Sequence, residues 1–213
     1  MNNVLQDMNP VLQMLTVMTL FSLIPFVFCC MTSFLRFTIV FSLLKTAMGV
    51  QVPPSIVTIG LCMILTFYTM GGVFDQMYQR GSIPYQKSGN LVVAIDEGSK
   101  PLKEFMLKQT RQSDLAFFVE LKRKQMPESP EDLTMWEIAP AYILSELKVA
   151  FEIGFVVFVP FIVLDLVVAN ILLALGMFML SPTIISLPFK LLIFIAVDGW
   201  SLIVQGLVQS YNG

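Results

Sequence analysis

The sequence predicts an all-α, membrane-associated protein in which two long apolar helical hairpins flank a polar helical middle domain. Three observations carry that class. Of the 213 residues, 56% are hydrophobic and 13% charged, more apolar side-chain surface than one soluble core of this length hides. The charges are also segregated: residues 1–74 carry only Asp7, Arg36 and Lys45, residues 153–213 carry only Asp165, Lys190 and Asp198, and the others lie between Asp75 and Glu152. Finally, no useful length of sequence alternates polar and apolar residues as a strand would, whereas helical spacing recurs.

Four stretches, 11–31, 55–74, 155–180 and 187–209, are near the roughly 20 apolar residues that cross a bilayer as a helix. They pair as two hairpins. The first is expected to turn through 32–54, which holds Arg36, Lys45 and the Pro53-Pro54 breaker, and the second through Ser181-Pro182 to Pro188. Arg36, Lys45 and Lys190 are the only charges in those connections, so the positive-inside rule places both turns in the cytoplasm. Both termini and the charged middle then lie on the outer side. The expected division is 1–74, a first apolar hairpin; 75–152, a polar helical extracytoplasmic domain; and 153–213, a second apolar hairpin. The amino terminus, MNNVLQDMNP, lacks a basic n-region, and 11–31 reads as a retained segment rather than a removed signal peptide.

The middle section reads as helices joined by polar loops. Ser99 caps a helix whose first position is Pro101, with Leu102, Phe105 and Met106 on one face. Ser113 begins another, with Leu115, Phe118 and Val119 at i, i+3 and i+4, and Pro127-Glu128-Ser129-Pro130 ends it. Thr134-Met135-Trp136-Glu137 has the form of a capping box for the next helix, and Pro140 predicts a kink or a restart.

Several function classes are excluded at once. The chain has no histidine, which removes Ser-His and Cys-His nucleophile pairs, His-based zinc sites and haem ligation by His. Cys29, Cys30 and Cys62 form no C-x-x-C pair, and no cofactor or metal is expected. A net charge of −2 lacks the basic field of a nucleic-acid binder. Ser145-Glu146-Leu147-Lys148 fits S-x-x-K, but neither S-D-N nor K-T-G accompanies it. Asp165 and Asp198 are imaginable as a carboxylate dyad, yet the second sits in Ala196-Val197-Asp198-Gly199-Trp200, not in G-x-G-D. No catalytic residue is assigned.

What remains is polar or deformable. An ionisable group within hydrocarbon costs at least about 2.5 kcal/mol, so such groups face protein or a water-filled path. Asp165, Asn170, Lys190 and Asp198 are therefore candidate buried polar contacts. Lys148 and Glu152 are spaced i, i+4 and can pair. Glu146 lacks a partner in its own turn, and reaches either solvent or a cation of another element, with Lys190 the obvious one. Gly60 and Gly71 share a helix face, where small residues admit another backbone, of the same subunit or of another copy. Met177-Phe178-Met179 lies between Gly176 and the Pro182 turn. Unbranched thioethers fill cores, but they also adapt to shapes that change, as a deformable constriction requires.

From about residue 32 onward the chain resembles the FliP/SctR family, the core pore protein of the type III secretion export apparatus. The resemblance rests on Thr32-Ser33-Phe34 with Arg36, Ser42-Leu43-Leu44-Lys45-Thr46-Ala47-Met48-Gly49, Pro53-Pro54, Leu144-Ser145-Glu146-Leu147-Lys148 with Ala150-Phe151, and Pro160-Phe161 with Asp165-Leu166-Val167. It continues through Leu173-Ala174-Leu175-Gly176-Met177, Ser181-Pro182, Leu187-Pro188-Phe189-Lys190 and Val197-Asp198-Gly199-Trp200. The stretch 101–111 leans to the flagellar branch, and the lack of a cleavable signal leans to the injectisome branch.

The resemblance implies a structural pore subunit that passes unfolded proteins across the bacterial inner membrane, at a flagellar basal body or an injectisome base. It implies five copies with two other membrane proteins of the same gate, wound into a closed cone largely above the membrane plane. The family's methionine-rich gasket falls on Met177 and Met179, with Phe178 where many members have another Met. Charged pairs between subunits fall on Glu146 and Lys190. The competing reading, a small-solute channel or carrier, rests on Asp165, Asn170 and Asp198 in apolar sequence, but the two hairpins share no inverted-repeat pattern beyond length.

Overall fold

The computed structural model describes residues 10–50, 53–89, 91–123 and 133–212. Eight helices and no strand occur among them: α1 Pro10–Met31, α2 Phe34–Met48, α3 Ser55–Ser88, α4 Leu91–Gln109, α5 Gln112–Arg123, α6 Met135–Ala174, α7 Pro182–Ala196 and α8 Gly199–Asn212. The expected break at Pro127-Glu128-Ser129-Pro130 lies outside the described residues, as do Asp7 and the polar start of the chain. The all-α class holds. Ser55–Gln86 of α3 and all of α6 are each long and apolar enough to cross a membrane.

The residues group into two compact units, one of Met1–Leu35 with Met70–Ser145, the other of Arg36–Thr69 with Glu146–Gly213. The first has a core of Met70, Leu102, Met106, Leu115, Val119, Leu133, Ile138, Ala141 and Tyr142. Within it α3 and α4 approach closely at two glycines. A Cβ on Gly98 would lie 3.3 Å from the Met77 carbonyl oxygen and 3.4 Å from the Gly81 Cα. Only the glutamate half of the capping box forms: Glu137 accepts from the Thr134 N–H and hydroxyl, both at 2.7 Å, while the Glu137 N–H donates to the Thr134 carbonyl rather than to its hydroxyl. On the α4 surface Glu97 accepts a hydrogen bond from Lys100 and holds its pKa above the ordinary lysine value.

The sequence expectation of a cap at Ser99 fails here for a physical reason. Helix α4 begins at Leu91, so Pro101 lies inside it and Ser99 is no cap; its hydroxyl donates to the Asp96 carbonyl at 2.9 Å. Burial of Pro101 and Leu102 compensates for the lost backbone hydrogen bond. Helix α6 passes through Pro140 and Pro160 without a restart over 40 residues. The S-x-x-K serine is structural: the Ser145 hydroxyl donates to Asp114 at 2.8 Å and accepts the Arg111 N–H at 3.0 Å.

In the second unit, the segment expected as a turn through 32–54 is mostly helix. Arg36, Phe37, Val40, Phe41, Leu44, Ala47 and Met48 of α2 are buried, a spacing that puts all seven on one helical face. The helix ends because Gly49 takes φ +70. Its N–H then reaches the Thr46 carbonyl and the Val50 N–H the Lys45 carbonyl, at 3.1 and 3.3 Å, the paired bonds of a Schellman motif. The stretch 187–209 is also not one helix. It breaks at Val197-Asp198, where α7 and α8 meet at 62° and Asp198 takes φ 51, a conformation Asp tolerates better than most residues.

Candidate functional site

Two buried polar ties and one exposed apolar turn occupy the second unit. The first tie centres on Glu146 of α6, which has no side-chain exposure. Arg36, 2% exposed, donates its Nε and Nη2 to the two carboxylate oxygens at 2.8 and 2.5 Å. This bidentate geometry is the strongest form of the pair. The third guanidinium nitrogen donates to the Ser210 hydroxyl at 2.8 Å and its carbonyl at 3.2 Å. Tyr211 completes the set, donating its hydroxyl to Glu146 at 2.5 Å while its ring lies 3.8 Å from the Arg36 Cζ. Every formal charge in this knot is matched, and α2, α6 and α8 are fastened together.

The second tie fastens α6 to α7. Lys190, 2% exposed, donates to Asp165 at 2.7 Å and to the Ala47 carbonyl at 3.0 Å. That carbonyl belongs to the last turn of α2, so the ammonium also caps a helix end. Ser186, one turn before Lys190, donates to the other Asp165 oxygen at 2.5 Å. The partners expected from sequence are thus rearranged: Glu146 meets Arg36, and Lys190 meets Asp165. Arg36 and Lys190 are buried, so neither serves as the turn charge that the positive-inside argument used; of the three, only Lys45 remains for that role. Lys148, Asn170 and Asp198 lie on the surface of the chain.

The turn begins where Gly176, at φ +74, ends α6 with a second Schellman motif: the Gly176 N–H donates to the Leu173 carbonyl and the Met177 N–H to that of Leu172. Pro182 then opens α7 at its first position. Between them Met177, Phe178 and Met179 are 42, 77 and 100% exposed. Much of α6 and α7 is equally bare, including Phe155, Val156, Leu166, Ile184, Leu192 and Ile195. Large contiguous apolar surfaces of this kind face lipid or other protein, not water.

Sequence reasoning missed Arg36 as a structural cation, and missed Tyr211, Ser210 and Ser186. The signal for the first was available: an arginine on the otherwise apolar face of α2 must find a buried acid. Among the described residues no group of three or more His, Cys, Asp or Glu is placed to hold a metal.

An all-helical chain with buried ion pairs, two membrane-length helices and an uncovered apolar surface is a membrane-associated component built to pack against other molecules. It belongs to the FliP family, whose sequence pattern matches residues 17–207. It is similar to the flagellar biosynthetic protein FliP of Pectobacterium carotovorum subsp. carotovorum, 46% identical over 201 residues, 93% of this chain and 78% of that one. The flagellar biosynthetic protein FliP of Bacillus subtilis (strain 168) is 42% identical, covering 97% of this chain and 94% of the relative. Yop proteins translocation protein R of Yersinia pestis is 41% identical, covering 95% and 97%.

Proposed function

We propose that this chain is a structural pore subunit of a type III protein export gate in the bacterial inner membrane, passing unfolded flagellar components or effectors. Family membership supports the export role. The observation that carries the pore role is the turn after Gly176, where three large soft or aromatic side chains stand exposed between two rigid helices. Repeated around an axis by five copies, Met177, Phe178 and Met179 form a ring that closes on itself when idle and yields to a passing chain. Two other membrane proteins of the gate complete the assembly.

The two ion pairs have a clear part in this reading. They hold α2, α6, α7 and α8 as one rigid support, so that the turn moves while its frame does not. Lys148, Asn170 and Asp198, on the surface, then face neighbouring subunits. The charged segment 75–152, which begins within the carboxyl-terminal part of α3, lies on the extracytoplasmic side, and Lys45 on the cytoplasmic side. Of the polar groups on which a solute-carrier reading rests, Asp165 is already neutralised by Lys190 and is tied into the frame.

The test is co-expression with the two partner proteins, purification in mild detergent and native mass measurement. A complex holding several copies of this chain is expected. Recovery only as a monomer overturns the proposal.

A further inference from the structure

The elbow between α7 and α8 is held by contacts that a straight helix cannot make. Asp198, among the described residues the one other than glycine at positive φ, stands where the two helices meet at 62°. The Val197 N–H still reaches the Ile193 carbonyl at 3.0 Å, whereas the Asp198 N–H turns to that of Ile195 at 3.1 Å. The Asp198 carbonyl then accepts the Leu202 N–H at 3.1 Å as α8 begins. Across the elbow the buried ring of Phe194 fills the space where a Cβ on Gly199 would stand. That ring meets Trp200 edge-on with centres 5.5 Å apart and Phe161 of α6 at 6.4 Å, and Trp200 meets Phe41 of α2 at 6.1 Å. Phe194 is spaced i, i+5 from Gly199 and i, i+6 from Trp200. Neighbours on one face of a continuous helix are three and four apart, so these contacts exist only because the chain bends.

The elbow stands at the far end of α7 from the Met177-Phe178-Met179 turn. Beyond it, α8 is fastened through Ser210 and Tyr211 to the Arg36–Glu146 pair. Before it, Lys190 ties the middle of α7 to Asp165, and Pro182 opens the helix just after the turn. At 1.5 Å per residue about 12 Å of helix separates Lys190 from Pro182, so a pivot of about 10° about the lysine displaces that end by about 2 Å. Side chains that meet across a ring lose most of their dispersion contact over such a gap.

We propose that Asp198, Gly199 and Phe194 position the gate: the elbow they form sets the direction of α7 and thereby the closure of the Met177-Phe178-Met179 turn. The inference rests on the pore reading of that turn and adds to it three residues at the other end of the helix. What Asp198 contributes is its backbone conformation rather than its charge. Asp, Asn and Gly tolerate the left-handed region, whereas Ala favours a continuing right-handed helix.

The test measures ion leakage from vesicles holding the full chain assembled with the two membrane proteins proposed to complete the gate. Met177→Ala/Phe178→Ala/Met179→Ala serves as the conducting control. Asp198→Ala is expected to leak about tenfold faster than the unaltered complex, the factor to which about 1.4 kcal/mol of left-handed backbone cost corresponds. Gly199→Ala, whose methyl group must displace the Phe194 ring, is expected to leak likewise. Asp198→Asn and Asp198→Gly keep the left-handed conformation and should stay tight. A role for the carboxylate in a subunit contact would instead make both resemble Asp198→Ala, and that result overturns the proposal. Tightness of Asp198→Ala and Gly199→Ala also overturns it, as does loss of assembly in both, which makes the elbow a folding element; if only one of the two assembles, that one decides. A control that fails to conduct removes the pore reading, and the elbow proposal with it; a conducting control beside tight elbow variants removes the elbow alone.

Discussion

Glu146→Gln is the sharpest test of how the frame is held. The native carboxylate accepts two hydrogen bonds from Arg36 and one from Tyr211. Glutamine keeps one acceptor oxygen but turns an NH2 group toward a guanidinium that has only donors. Arg36, 2% exposed, is then left as a buried cation without a counter-charge. Breaking one side of such a pair costs about 3–5 kcal/mol, a large share of the roughly 5–15 kcal/mol that holds a typical domain folded. The measurement is equilibrium unfolding of the purified chain in mixed micelles, by titration with a denaturing detergent and circular dichroism. Arg36→Met should cost a similar amount. The double variant Arg36→Met/Glu146→Met should cost less than either single change, because no charge is orphaned in it. A cost for Glu146→Gln below about 1 kcal/mol, the range of an exposed pair, refutes the reasoning; so do single effects that simply add.

Other changes separate the remaining contributions. Tyr211→Phe keeps the ring over Arg36 but removes the hydroxyl donor to Glu146, and should cost about 1.5–3 kcal/mol in the same titration; Tyr211→Leu should cost more, through loss of the ring. Gly81→Leu places a side chain against the Ala94 carbonyl oxygen, 3.2 Å from where its Cβ would lie, and overpacking of this kind costs about 1–3 kcal/mol. Gly72→Leu, on the same helix with nothing within 4 Å, should shift the midpoint by under about 0.5 kcal/mol. Thr134→Ala removes the hydroxyl that donates to Glu137 at 2.7 Å and should cost about 1 kcal/mol.

Local chemistry was legible in the sequence wherever its cause was local. The Thr134–Glu137 contact spans four residues and its glutamate half formed as read; the soft turn after Gly176 was visible because a glycine and a proline bracket it. Proline was the poorer guide. Pro101, Pro140 and Pro160 all sit inside continuous helices, where the length of the flanking helix, and at Pro101 burial, outweigh one missing N–H. The break between α7 and α8 was illegible because it depends on a single residue, Asp198, in a left-handed conformation. Partner choice was the least legible of all. Arg36 and Glu146 are 110 positions apart, and a lone charge in apolar sequence reads equally as a topology signal or as half of a buried pair. The apolar face of α2, with the arginine on it, was the feature that distinguished the two.

The gate itself is tested most directly by permeability. Complexes of this chain with the two membrane proteins proposed to complete the gate, reconstituted in vesicles, should be tight to small ions, and those carrying Met177→Ala, Phe178→Ala and Met179→Ala together should conduct while assembling normally. Equal tightness of the two, with assembly intact, would contradict the turn as a gate.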